Sequence, residues 1–203
     1  MRMTLTALTM AGLLTLGTQG FSQDTTETET QTPPPADALD LGEPVTADAE
    51  GSDVGQIYVE ETYGDWEKRC LRGAEGEEDR CNLYQLLTNA DDAPVAEFNL
   101  FRLPEGGQAV AGANVVVPLE TLLTQQLTIT INGGESRRYP FSFCNAAGCV
   151  ARLGMTQGEI DQLKRGVSAV LRLVPAAAPE EEFLLNMSLN GFTAGYDSLD
   201  IVD

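Results

Sequence analysis

Short runs of β-branched and aromatic residues recur along most of this chain, and Gly, Pro, Asn or Asp residues bound them. Runs of this length suit strands better than helices, and their repetition is typical of antiparallel sandwiches and barrels. The pattern predicts an all-β protein with an immunoglobulin-like antiparallel β-sandwich fold. The predicted strand segments are 57–59, 83–87, 95–103, 115–117, 127–131, 141–143, 167–174 and 183–189.

The segment MTQGEIDQLKRG, residues 155–166, departs from this pattern. Thr156 is a suitable helix N-cap because Glu159 follows three residues later, and Gly166 is a suitable stop. Ile160 and Leu163 fall on one face of such a helix. We therefore predict one short helix at about 156–165 that covers an open end of the sandwich.

The turn Asn132-Gly133-Gly134 consists of residues that tolerate positive φ, so the chain can reverse there and return through 137–139. Arg137 and Arg138 make a dense basic spot in an acidic sequence. An acidic partner or a phosphate could bind there. Neighbours on a strand point to opposite faces, however, so only one of the two arginines can join a given patch. We favour a structural role for both.

The first 22 residues have the three regions of a secretory signal peptide. Met1-Arg2 is positively charged, residues 5–16 are apolar but too short to span a bilayer, and small residues lie near Gly20 and Ser22. A buried helix of a cytosolic domain is the alternative, but the apolar stretch contains Thr and Gly and leads into a polar tail. We predict a cleaved signal peptide at 1–22, without a lipobox Cys at the cleavage point, and hence a periplasmic or secreted protein.

Residues 23–56 form an acidic segment rich in Thr, Glu and Pro, which cannot bury enough apolar surface to offset the entropy of ordering it. We expect a disordered tether that serves as a spacer, a partner-binding tail or, as we favour, a solubilising segment. Residues 57–203 have the size of a single domain with its own core. The net charge of −19 argues against a nucleic-acid or anionic-lipid partner, and the mature chain has no transmembrane stretch.

The four cysteines are Cys70, Cys81, Cys144 and Cys149. In an exported chain an even count indicates disulfides, although four cysteines allow three pairings. Proximity along the chain favours two local bridges, with the second across the turn at 145–148. A thioredoxin-type centre would need two intervening residues, and a four-thiolate zinc site would need closely spaced ligand pairs. We interpret both pairs as structural disulfides.

The chain contains no His, which removes the usual general base and the commonest zinc ligand. Carboxylates are abundant at 75–79 and at Asp91-Asp92, but no pair is marked as buried. No Ser-x-x-Lys element is present either. We therefore predict a non-enzymatic protein without catalytic residues, metal ligands or a cofactor. The alternatives are a carbohydrate-active enzyme with a carboxylate pair and a calcium-dependent adhesion module that uses the 75–79 loop.

Trp66, the sole Trp, precedes Cys70 by four positions. A Trp in this position can pack in the sandwich core or, if exposed, can anchor a partner. We favour the core because large aromatic residues are mostly buried.

Several short pieces follow one another in a recognisable order along the chain. They are Asp65-Trp66, the four cysteines, 117–119, 129–133, Pro140-Phe141, 163–166 and 187–192. In these pieces the chain resembles the invasion-associated locus B proteins of alphaproteobacteria. The resemblance implies a secreted or envelope β-sandwich of immunoglobulin-like build, in a family named for host-cell entry, and it transfers no catalytic residue. It points to a binding protein whose partner, an unknown protein or envelope component, it does not name. The long acidic segment departs from typical members.

Overall fold

A computed structural model describes residues 53–202, and these fold mainly into strands. The predicted signal peptide and residues 23–52 of the predicted tether lie outside the described residues. The strands are β1 (Ile57–Tyr63), β2 (Trp66–Leu71), β3 (Arg80–Thr88), β4 (Pro94–Arg102), β5 (Ala111–Val117), β6 (Leu127–Ile131), β7 (Ser136–Tyr139), β8 (Phe141–Asn145), β9 (Gly148–Met155), β10 (Ser168–Leu173) and β11 (Phe183–Ser188). The α-helices are α1 (Gln157–Arg165) and α2 (Phe192–Asp197), and a single 3₁₀ turn covers Leu123–Gln125.

The strands form two antiparallel sheets, which confirms the predicted all-β sandwich. The large sheet has seven strands in the order β1-β2-β3-β4-β5-β9-β8, and the small sheet has four in the order β11-β10-β6-β7. The first five strands of the large sheet follow one another as a meander. The hairpins therefore bring residues from different parts of the sequence directly opposite each other, such as Tyr84 with Asn99 and Asn99 with Asn114.

Each predicted run overlaps an observed strand, and the return through 137–139 is β7. Strand β2 and the main part of β9 were missed, for a physical reason. In β2 the inward positions are Trp66, Lys68 and Cys70, so a charged residue interrupts the apolar alternation. In β9 the glycines and Arg152 break up the β-branched run that indicates a strand.

The core lies between the two sheets and consists of the inward residues of nearly every strand. Trp66 is fully buried, and its ring packs edge-on against Phe98 and Phe192 at centroid distances of 6.0 and 5.3 Å. This position agrees with the core interpretation of Trp66. Further core residues are Leu83, Leu100, Val115, Leu127, Leu153, Leu171, Leu185 and Met187.

Helix α1 has the capping arrangement that the sequence predicts. The Glu159 backbone N–H donates to Thr156 Oγ1, and the Thr156 backbone N–H donates to Glu159 Oε2 at 2.8 Å. Ile160 and Leu163 are fully buried in the shared core. Because α1 connects β9 of the large sheet to β10 of the small sheet, its apolar face contributes to the core as the chain passes from one layer to the other.

Helix α2 was not predicted, so residues 53–202 contain two α-helices where the sequence indicated one helix. Its six residues are too few to display helical periodicity. Gly191 precedes it with φ of 86°, and no side chain caps its start. Tertiary packing supports the helix, because Phe192 and Tyr196 are buried and their rings stack at 5.8 Å.

Both cysteine pairs are joined locally, as proximity along the chain favoured. The Sγ atoms of Cys70 and Cys81 are 2.02 Å apart, and those of Cys144 and Cys149 are 2.00 Å apart. Each pair occupies directly opposed positions of an antiparallel hairpin, β2 with β3 and β8 with β9. The second hairpin reverses through the four-residue turn at 145–148, where the Asn145 side chain accepts from the Ala147 backbone N–H.

A polar network, the clasp, joins the start of β2 to the end of β11 and so links the two sheets. Ser188 donates from its hydroxyl to Asp65 at 2.6 Å, and its backbone carbonyl accepts from Trp66 Nε1 at 2.9 Å. Gln85 accepts from the Ser188 backbone N–H and donates to the Ser188 carbonyl oxygen. Because the buried Gln85 and Trp66 side chains find their partners on Ser188, the network fixes how the two layers meet at this end.

Candidate binding face

The acidic 75–79 loop is a closed turn, and its best-placed carboxylate is already bonded. Asp79 accepts from the Tyr58 hydroxyl at 2.6 Å and from the Gly73 backbone N–H at 2.9 Å. These two hydrogen bonds lower the pKa of Asp79. The other acids of the loop are exposed. Asp79, the carboxylate of this loop best placed to bind calcium, therefore stabilises the loop through these two hydrogen bonds.

Carboxyl groups with shifted pKa values also bear on the alternative of a carbohydrate-active enzyme. A general acid in such an enzyme needs a raised pKa. Within residues 53–202, every carboxyl group whose pKa departs from its ordinary value is shifted downward. These groups are Asp79, Glu159 and Glu182.

Glu60 and the sulfurs of Cys70 and Cys81 come within 4.8 Å of one another, which resembles a ligand cluster for a soft metal. The two sulfurs are bonded to each other, however, and it is the thiolate that binds metal. Glu60 instead pairs with Lys68 at 2.6 Å.

A cavity of about 690 Å³ lies beside the Cys70–Cys81 disulfide. Its charged lining residues are Glu60, Glu77, Glu78, Asp79 and Asp200 together with Lys68 and Arg80. Lys68 is only 8% exposed, and it donates to Glu60 and to the Ser198 carbonyl oxygen. The hydrogen bond to Glu60 raises the pKa of Lys68, although burial acts in the opposite direction. The ammonium group therefore joins β2 to the end of α2 and has a structural role.

The two adjacent arginines of β7 are separated in the way that strand geometry predicts. Arg137 pairs with the buried Glu159 of α1 at 3.2 Å. Arg138 is opposite Thr128 in β6, and Thr128 is opposite Arg172 in β10, on the outer face of the small sheet.

The outer face of the large sheet is the remaining candidate, and its side chains form cross-strand rows. The central row crosses five neighbouring strands, and each member is directly opposite the next. Unlike the inner face, this row is almost entirely polar. Its members are Glu67, Tyr84, Asn99, Asn114 and Arg152.

One end of the central row is covered by the neighbouring side chain of Arg69. The guanidinium carbon of Arg69 lies 3.3 Å from the centre of the Tyr84 ring, and Arg69 Nε pairs with Glu67 at 2.8 Å. Tyr84 is consequently only 6% exposed. Burial, followed by the charge of Glu97, raises the pKa of the Tyr84 hydroxyl.

The other end of the row is open and forms a shallow depression of about 470 Å³. We call it the asparagine depression, because Asn82, Asn99 and Asn114 project into it from three consecutive strands. Asn82 Nδ2 donates to Asn99 Oδ1 at 2.9 Å. In the described part of the chain, no hydrogen bond or ion pair engages the side chain of Asn114 or Arg152. The remaining lining residues are Phe101, Val116, Phe143, Val150 and Arg152.

Aromatic rings border the depression on two sides. A Cβ placed on Gly112 would come within 2.5 Å of the Phe101 ring, so this ring lies across the backbone of β5 at the point where β5 has no side chain. Phe143 on β8 is 50% exposed on the opposite side and is opposite Val150. The polar groups thus lie between two apolar walls, a common arrangement in binding sites for small organic ligands.

Sequence reasoning did not select the asparagine depression, although the sequence contains a signal for it. Asn82, Asn99 and Asn114 each interrupt an apolar run, as in EFNLFR and GANVVV. Asn is depleted in strands, so three such residues on consecutive strands need an explanation beyond strand formation. That they lie side by side follows from the hairpin registers, which the sequence does not show.

The fold and the two local bridges define a disulfide-bonded, two-sheet antiparallel β-sandwich. Within that class, the chain belongs to the invasion associated locus B (IalB) family, whose sequence model matches residues 66–200. The match contains both disulfides, the asparagine depression and every residue of the clasp except Asp65.

A comparison with solved structures agrees on the fold. The crystal structure of invasion associated protein b from Bartonella henselae is 23% identical to this chain, with a TM-score of 0.56. The similarity covers 66% of this chain and 89% of that one. No curated protein matches the sequence.

Several sequence pieces on which the family resemblance rests also serve the fold. Asp65-Trp66 and the residues at 187–192 meet in the clasp.

The described part of the chain contains no helix with the length and hydropathy needed to cross a membrane.

Proposed function

We propose that this chain is an exported, non-enzymatic binding protein of the bacterial envelope, and that the outer face of the large sheet is its contact surface. The observation that carries the proposal is the open end of that face, where Asn114 and Arg152, which have no hydrogen-bond or ion-pair partner among the described residues, lie between the half-buried Phe101 ring and the exposed Phe143 ring. Export is supported by the sequence of residues 1–22 and by the two disulfides, which persist in oxidising compartments.

The experiment has two parts, performed in the native organism with the full chain. Cell fractionation reports the compartment, and we expect the protein outside the cytoplasm with both bridges oxidised. A photo-crosslinking amino acid at Phe143 then reports contacts of the outer face. The matched control carries the same group at Phe183, which is 44% exposed on β11 of the small sheet.

We expect an envelope component to crosslink from position 143 and not from position 183. A protein retained in the cytoplasm would contradict export. Equal crosslinking from both positions, or none from position 143, would contradict the assignment of the contact surface.

A further inference from the structure

We infer that the asparagine depression binds a neutral glycan, with Asn114 and Arg152 as hydrogen-bonding residues and Phe101 as the stacking residue. The inference rests on the proposed function, because it names the chemistry of a partner for the same face. Three properties of the described residues carry it: the available polar groups, the position of the Phe101 ring, and the local charge.

The polar groups have the hydrogen-bonding capacity that sugar hydroxyls require. A hydroxyl both donates and accepts, and a side-chain amide offers two N–H donors beside an acceptor oxygen. The Asn82–Asn99 hydrogen bond holds two of the amides in place. Asn114 lies directly opposite both Asn99 and Arg152, so it extends the same row of donors and acceptors across β5 to β9.

The Phe101 ring supplies an apolar surface of a suitable kind. It lies over Gly112, where β5 has no side chain to cover it, and it is half-buried. A pyranose ring has polar hydroxyls at its edge and apolar C–H groups on its faces. It can therefore stack on Phe101 while its hydroxyls reach the amides beside it.

Local charge favours a neutral ligand. The whole chain has a formal charge of −19, but Arg152 is the sole charged residue that lines the depression. Glu97, opposite Val116 on the adjacent row of the same face, carries a negative charge outside this lining. A polyanion would meet only one cation here, and a polycation would meet no cluster of carboxylates.

The position within the sheet favours a glycan over an extended peptide. Peptides that bind sheets usually add a strand at an exposed edge, where backbone groups are unpaired. The depression instead extends across β3, β4, β5 and β9, which are hydrogen-bonded neighbours inside the large sheet, and the edge strand β8 contributes only the Phe143 side chain to its lining. Recognition at this place must come from side chains.

The test uses the full chain and an array of immobilised neutral glycans, namely β-glucans, mannans, galactans and xylans. Acidic glycans and a random peptide library serve as comparators. Calorimetry with the best soluble oligosaccharide then measures Kd for Asn114→Ala and Arg152→Ala. The matched controls are Asn186→Ala and Arg138→Ala, which remove the same groups from exposed positions of the small sheet.

We expect binding to neutral glycans, with a loss of roughly tenfold in affinity for each variant of the depression and no change for the controls. All four variants should keep the wild-type melting temperature, because none of the four side chains is buried. Absence of neutral-glycan binding, a preference for acidic glycans or peptides, or an unchanged Kd in Asn114→Ala and Arg152→Ala would overturn the inference. A failure on the array together with a crosslink from position 143 would leave the proposed function standing and reject only the glycan.

Discussion

At the residue scale, Glu159 shows how one buried carboxylate can connect several elements. It is 4% exposed, it completes the cap of α1, and it accepts a hydrogen bond from the Tyr139 hydroxyl at 3.1 Å. Burial tends to raise the pKa of Glu159, but the hydrogen bonds from Thr156 and Tyr139 and the charge of Arg137 outweigh it and lower that pKa. Burial and the nearby Glu159 charge raise the pKa of Tyr139 to about 12, so its hydroxyl keeps the proton that it donates.

We predict that Glu159→Gln lowers the free energy of unfolding by about 1 kcal/mol near neutral pH, because hydrogen bonds to a charged acceptor are stronger than those to an amide. The folded-state pKa lies below the unfolded value of about 4.3. The ionised carboxylate therefore stabilises the fold above that value, and the contribution is lost as the pH falls through the lower folded pKa.

Urea unfolding of wild type and Glu159→Gln over this pH range measures the effect. The two free energies should converge at acidic pH. The control is Glu135→Gln, at an exposed position in the turn before β7. A difference that is independent of pH would mean that the charge of Glu159 contributes nothing.

At the element scale, the two disulfides each close one hairpin of the large sheet. The first links β2 to β3 over a sequence separation of 11, and the second links β8 to β9 over a separation of 5. A cross-link stabilises a fold mainly by restricting the unfolded chain, and the effect grows with the length of the loop. Removal of the disulfide that closes the longer loop should therefore destabilise the protein more than removal of the other.

We predict that the double variant Cys70→Ala/Cys81→Ala lowers the free energy of unfolding by about 3 kcal/mol. The double variant Cys144→Ala/Cys149→Ala should lower it by about 2 kcal/mol. Urea unfolding of oxidised protein measures both, and reduced wild type provides the reference. Peptide mapping should find the two local links. A link between the first and second pairs, or the reverse order of the two losses, would contradict this account.

At the scale of the whole molecule, residues 53–202 contain a complete two-layer core, and the acidic N-terminal segment lies outside this described part. The composition of residues 23–52 includes few large apolar side chains. Such a segment has little surface with which to stabilise a core.

We predict that a chain without residues 1–52 keeps the far-UV circular dichroism and the melting temperature of the mature protein. Thermal unfolding of both proteins, at low and high salt, measures this. A lower melting temperature of the shorter chain would show that the acidic segment contributes to the stability of the sandwich, and it would contradict the tether interpretation.

Particular residues show how far the sequence could lead. The cap of α1 was predictable because Thr156 and Glu159 are three positions apart and contact each other locally. Helix α2 was not, because its stability comes from Phe192 and Tyr196 in the shared core. The asparagines of the depression were visible as interruptions of apolar runs, but strand registers had to be known before they became one surface.

By itself, the sequence determined the fold class, the turn chemistry, the cap of α1 and the local pairing that its hairpins favour. These depend on interactions between residues a few positions apart or on the alternation of apolar side chains. The tertiary structure decided the clasp, the order of strands in each sheet and the row from Glu67 to Arg152. Those features join residues far apart in the chain, and only the packing of the two layers sets their distances.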